Sequence, residues 1–215
     1  FLRKGLEGSR LVLVDIDQNQ ARLGLKAIEK RLNRLVEKAI IESAKKDELM
    51  GRITISGDLS ELKDAEIVVE ASSENLAVKK QIFASLSEIS SSNCILGTNT
   101  SALSVTAIAT EVAEPQRVVG IHFFNPVSRM KLVELVRTPF TSEEILGRSK
   151  AFVEALGKTP VLVDEAPGFI VNRLLIPMIN EAVFLLAEGV ASAEDIDTAM
   201  RLGANHPMGP LALAD

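Results

Sequence analysis

The chain has 215 residues, enough for one large domain or one domain with part of another, and 47% of them are hydrophobic, ample for a buried core. A net charge of −5 without any basic cluster argues against nucleic acid or an anionic membrane as partner. The single cysteine, Cys94, allows no internal disulfide and points to a reducing compartment, the cytoplasm, and with only two histidines it leaves no zinc or iron site to be written. The longest apolar-looking segment, Phe169 to Ala187, is broken by Asn172, Arg173, Pro177, Asn180 and Glu181, too polar to span a bilayer. Residues Phe1 to Gly8 show no apolar stretch flanked by a cleavage site, so no secretory signal is read there.

Leu11 to Asp15 is a continuous apolar run ending in an acid, the pattern of a parallel strand buried on both faces. A helical arm over about 17–50 follows, with Leu25, Ile28, Leu32, Leu35, Ala39 and Ile40 at steps of three and four and Gly51 closing it. Arg52 to Ser56 alternates as a strand, Ile67 to Ala71 is the next, and Leu76 to Ile89 an amphipathic helix. Cys94 to Thr98 is a further strand, and Ser104 is placed to cap a short helix running to Val112.

Val118 to Phe123 reads as a buried strand stopped by Pro126, and Leu132 to Val136 as its neighbour. The midpoint between His122 and Glu134 falls at Ser128, in the polar turn, so a hairpin brings imidazole and carboxylate onto adjacent strands. A carboxylate on one ring nitrogen fixes the tautomer and leaves the other as a base near neutral pH. The spacing alone also fits a satisfied core histidine beside a strand-end glutamate.

Ser142 to Leu156 reads as a helix stopped by Gly157, and Pro160 to Val163 as a short strand. Beyond Glu165-Ala-Pro-Gly168 the pattern turns wholly helical. Phe169 to Glu188 is closed by Gly189, then Ser192 caps a helix to Leu202 with Gly203 as its stop. A boundary near Pro167 thus divides residues 1–166 from 167–215. Two helices and the Pro-rich tail His206 to Pro210 cannot enclose a core of their own, and His206 itself reads as a turn residue. Strand–helix alternation with apolar strands predicts an α/β doubly wound, Rossmann-like parallel sheet with a mixed edge, followed by the start of an all-helical domain.

Six phrases, in order, then resemble one family: Val68-Val-Glu-Ala71, Thr98-Asn-Thr-Ser101, His122-Phe-Phe-Asn-Pro126, Lys131-Leu-Val-Glu134, Pro167-Gly-Phe-Ile-Val-Asn-Arg173 and Leu202-Gly-Ala-Asn-His-Pro-Met-Gly-Pro210. The chain resembles the 3-hydroxyacyl-CoA dehydrogenases over nearly its whole length from Leu11. The resemblance implies NAD as cofactor, an acyl-CoA substrate, with a short acyl chain, and a homodimer formed through the helical domain. It makes His122 the catalytic base and Glu134 its dyad partner. Ser101 and Asn172 orient the substrate, with Asn125 lining the same site. Asp15 holds the adenosine ribose hydroxyls, and Glu74 and Lys79 border the dinucleotide, as do Ser101 and Asn125. The helical arm helps to hold the CoA tail. An acid at the end of that strand would repel a 2′-phosphate, which favours NAD over NADP.

One departure stands out. The family opens with a strand and a Gly-x-Gly-x-x-Gly turn that sets backbone N–H groups against the pyrophosphate. Here Gly5 and Gly8 fall just ahead of the second strand and form no such motif. The expectation is therefore an internal piece of a longer dehydrogenase, lacking the first strand and the later helices, with a gap in the sheet. Two rival readings are the same region of a multifunctional β-oxidation protein, and a non-catalytic structural homologue of the lens crystallin type.

Overall fold

The computed structural model describes residues 8–215. The expectations for the amino-terminal segment, Gly5 included, lie outside the described residues. The chain divides into two compact units, Phe1–Glu165 and Ala166–Asp215, each described by itself.

The first unit contains two separate sheets. β1 (Leu11–Val14) and β2 (Ile53–Ser56) pair in parallel, Leu11 opposite Ile53 and Val14 opposite Ser56. Between them run α1 (Gln18–Glu37) and α2 (Ser43–Gly51). The helical arm is thus broken, at a turn where Ala39 has φ 52°. The N-cap of α1 is Asp17, whose side chain accepts the amide of Asn19. Leu11, Leu13, Leu25, Ile28, Leu32 and Met50 pack around Leu49 and Ile53. The strand is half-buried along its whole length, not closed on both faces as its apolar run implies. The reason is topological: among the described residues β1 has only β2 beside it.

The larger sheet has the order β3-β4-β5-β6-β7: Ile67–Glu70, Ile95–Thr98, Val118–Phe123, Leu132–Arg137 and Thr159–Asp164. All neighbours are parallel except β5 with β6, which is antiparallel, so the sheet is mixed. The doubly wound architecture is present as two sheets, with the gap falling between β1 and β3, which no described strand joins.

α3 (Leu76–Ile89), α4 (Val105–Ala109) and α5 (Glu143–Ala155) cover the five strands. Asn75, Ser104 and Ser142 cap them through side-chain oxygens. Ile95, Val119, Ile121, Val133 and Leu135 meet Ile145, Leu146, Phe152 and Val153 in one closed core. On the opposite face Gly120 lets Val136 and Val105 approach, since a Cβ there would fall 2.7 Å from the Cβ of Val136. Gly157, at φ 72°, stops α5 as expected.

The second unit holds α6 (Val171–Ala187), α7 (Ala193–Gly203) and α8 (Pro210–Ala214). Gly189 (φ 70°) ends α6 and Ser192 caps α7. Gly203 is not the left-handed stop; it is the last helical residue, and Asn205 takes φ 56°. α8 was not foreseen, because its first-turn amides at Leu211 and Ala212 are satisfied by Asp197, from another helix. Its interior is thin: of the large apolar side chains only Phe169 and Ile196 are buried, while Leu174, Ile176, Phe184 and Leu202 are exposed. No described helix is long and apolar enough to cross a membrane.

Candidate active site

The β5–β6 pairing sets His122 opposite Glu134, and the two side chains meet: Nδ1 lies 2.8 Å from Oε2. Both are buried, at 6% and 1% exposure, so the contact works in a low dielectric, where charge-assisted bonds are strongest. Phe124 leans on the imidazole, ring centroids 4.5 Å apart. A carboxylate on Nδ1 holds the proton there and makes Nε2 the basic nitrogen.

One strand over, β4 ends at Thr98 opposite Gly120 of β5, so the turn after β4 and the end of β5 leave the sheet on the same side. Glu74 organises that turn. Its Oε1 accepts the hydroxyls of Thr100 (2.6 Å) and Ser101 (3.1 Å) and the amides of Ser101 (2.8 Å) and Ala102 (3.2 Å). Partial burial would raise the Glu74 carboxyl, but these bonds and the nearby Lys79 charge outweigh it and hold it below the usual range.

Beneath the turn lies a buried ion pair. Lys79, 1% exposed, places Nζ 2.8 and 3.0 Å from the two oxygens of Glu70 and 3.7 Å from Glu74. Glu70 also accepts Thr98 Oγ1 (2.7 Å) and both the amide and hydroxyl of Ser72 (2.6 Å each). Burial pushes the Glu70 carboxyl up, yet the bonds from Lys79, Ser72 and Thr98 prevail and keep it low. Lys79, read from the sequence as bordering a cofactor, thus has its ammonium enclosed between two carboxylates.

Asp15 stands at the end of β1, in the smaller sheet. Its Oδ1 accepts the amide of Asp17, and its own amide bonds Ser56. Asn125 is exposed in the loop after β5, before a cis bond to Pro126. Lys158 closes that loop by donating to the carbonyls of Val127 and Met130, and Arg31 of α1 bonds Ser128. Asn172 is the second residue of α6, after the turn in which Gly168 and Phe169 take positive φ.

Reading by residue missed Glu70, Thr98, Asn99 and Lys158. Val68-Val-Glu-Ala71 carried the one usable signal, an acid at the end of a buried strand with a lysine nine residues on. A cleft lined by Arg137, Thr138, Pro139, Thr141, Glu143, Asp164 and Glu165 lies at the opposite end of the sheet. It brings no base to a ligand, since Arg137 pairs with Asp164 and Glu143. No described group of His, Cys, Asp and Glu could hold a metal ion.

A mixed α/β sheet with acid-tipped parallel strands and a buried His–carboxylate pair on adjacent strands defines a nucleotide-dependent oxidoreductase of the doubly wound class. The comparisons with known proteins give the family. The NAD binding domain of 3-hydroxyacyl-CoA dehydrogenase matches residues 4–166, and that family's C-terminal domain matches 168–215. A probable 3-hydroxybutyryl-CoA dehydrogenase of Bacillus subtilis is 48% identical over 203 residues, covering 94% of this chain and 71% of that one. A 3-hydroxybutyryl-CoA dehydrogenase of Clostridioides difficile is 48% identical over 89% of this chain and 68% of its own. The crystal structure of (S)-3-hydroxybutyryl-CoA dehydrogenase from Ralstonia eutropha superposes with a TM-score of 0.93 at 42% identity, over 98% of this chain and 74% of that one. The chain belongs to the 3-hydroxyacyl-CoA dehydrogenase family and carries its NAD-binding domain.

Proposed function

We propose that this protein interconverts 3-hydroxyacyl-CoA and 3-oxoacyl-CoA, with the four-carbon 3-hydroxybutyryl-CoA as its substrate. The buried 2.8 Å contact between His122 and Glu134 carries the reading. The names of relatives at 48% identity supply the acyl length.

Oxidising a secondary alcohol removes a hydride from carbon and a proton from oxygen. NAD, when bound, supplies the hydride acceptor. Nε2 of His122 takes the proton, a contribution on the order of 10²–10⁴ in rate, and Glu134 holds the ring and offsets the imidazolium charge. Ser101, Asn125 and Asn172 present neutral hydrogen-bonding groups to the substrate oxygens. Asp15 fits the adenosine ribose, because a carboxylate at a strand end accepts from both hydroxyls and repels a 2′-phosphate. Glu74 and Lys79 border the cofactor, Glu74 by fixing the Ser101 turn and Lys79 by anchoring Glu74, and Ser101 and Asn125 face both ligands.

The division near residue 166 separates the cofactor domain from a helical domain. The exposed Leu174, Ile176 and Phe184 of α6 call for cover, which a second copy of this chain provides in a homodimer. Cys94 is free and buried, and burial pushes its thiol up despite the Arg117 charge, in keeping with a cytoplasmic enzyme. The intact dyad favours catalysis over a purely structural role.

The test mixes the whole gene product with acetoacetyl-CoA and NADH and follows NADH absorbance. Absorbance falls if the reading holds. No consumption with this substrate or longer homologues overturns it.

A further inference from the structure

Asn99 enters neither the dyad nor the groups assigned to cofactor and substrate, yet it touches both halves of the site: it lies two residues before Ser101 and hydrogen-bonds the peptide that follows His122. The β4–β5 ladder ends at Thr98 opposite Gly120, while β5 runs on to Phe123. The Phe123 amide lies beyond that last rung. Asn99 Oδ1 takes it, at 2.8 Å. Of the two terminal atoms of an asparagine amide only the oxygen accepts an N–H, so this bond also fixes which way the side chain is turned. The side chain adds a rung to the ladder after the main chain of β4 has turned away.

The consequence lies in what each end carries. The peptide anchored by Asn99 joins His122 to Phe123, so it sets the backbone from which the imidazole projects. Glu134 holds the ring on one side and Asn99 the adjoining peptide on the other. Asn99 is itself held, its amide donating to the carbonyl of Glu70 at 2.8 Å. Its neighbours Thr98 and Thr100 donate to Glu70 and Glu74. Ser101 follows two residues later in the same turn.

We propose that Asn99 is a positioning residue: through Phe123 it locks the strand end carrying His122 to the turn carrying Ser101, so that proton acceptor and substrate-orienting hydroxyl share one rigid frame. This rests on the reading of His122 as the base. A displacement of about 1 Å in such a frame costs on the order of 10²-fold in rate.

The test uses the whole gene product with Asn99→Leu, which keeps the shape and removes the acceptor, and Asn99→Asp, which keeps the acceptor. Amide hydrogen exchange without ligands reports the bond itself. Phe123 should lose protection in the leucine variant, while Val119 to Ile121 and Val133 to Val136 keep theirs, and Asp should restore it. Turnover should fall about 10–100-fold in the leucine variant, with KM for NADH within about threefold of wild type. The isotope effect with deuterated NADH should rise, because misplacement slows the chemical step, whereas a smaller folded fraction leaves it unchanged. Lost Phe123 protection with wild-type turnover and isotope effect overturns the proposal. If the leucine variant does not fold, Asn99→Asp decides. Protection and turnover both near wild type support the role, and protection with turnover as low as about a hundredth contradicts it. Failure of wild-type turnover, by contrast, would strike the proposed function and leave the exchange result standing.

Discussion

The two sheets of the first unit are built from similar residues and end up in different states. In the larger sheet β5 and β6 are closed on both faces, and its polar groups are buried with partners to match: His122 of β5 on Glu134 of β6, and Glu70 of β3 on Lys79, Ser72 and Thr98. β1 is as apolar in sequence, yet half-buried throughout, and Asp15 after it accepts the local amide of Asp17. Burial therefore follows from the number of neighbours a strand finds, not from its own hydrophobicity. The site divides in the same way. The groups proposed for proton transfer are buried and bonded, and the acid proposed for the ribose follows the half-buried strand.

Breaking the rigid half should cost most. Lys79→Met leaves the Glu70 carboxylate buried without its counter-ion, a loss of about 3–5 kcal/mol, read as a lowered urea midpoint. A loss below about 1 kcal/mol would mean that the pair is not desolvated as the structure shows. Core deletion sharpens the contrast between the sheets. Leu135→Ala, at 2% exposure, should cost about 2–5 kcal/mol, and Leu11→Ala, half-buried, no more than about 1.5 kcal/mol. Equal losses would contradict the picture of two unequal sheets.

Acid should separate the halves as well. Glu70 and Glu74 have carboxyl pKa values held below the unfolded range. The unfolded chain therefore takes up protons first, and the stabilisation they give is full above about pH 4.3 and disappears as pH falls through their lower folded values. Wild type should lose stability over that interval, and the double variant Glu70→Gln with Lys79→Met should lose less. Parallel stability curves for the two would sink this assignment. The smallest effect belongs to the looser sheet: Asp15→Asn should weaken NADH binding about tenfold and leave the urea midpoint within about 0.5 kcal/mol of wild type. NADH titration by fluorescence checks it, and unchanged affinity would remove Asp15 from the cofactor site.

What was legible in the sequence was local or fixed by counting. The β5–β6 hairpin was readable because an antiparallel register follows from the residues on either side of its turn, and His122 and Glu134 are symmetric about Ser128. The caps at Ser104 and Ser192 were readable because each acts within three residues. The Glu70–Lys79 pair was not, since it joins a strand to a helix across a loop that sequence spacing does not determine. The same holds for Asn99, whose partner lies 24 residues away, and for α8, whose first turn is capped by Asp197 14 residues before it. The split of the sheet was foreshadowed only by the lack of a glycine-rich turn.

The central claim is that His122, held by the buried Glu134, takes the proton. His122→Gln is nearly isosteric and lacks a base, so acetoacetyl-CoA reduction should fall on the order of 10²–10⁴-fold while NADH binds as in wild type. Wild-type turnover in that variant, with NADH binding intact, would contradict the account.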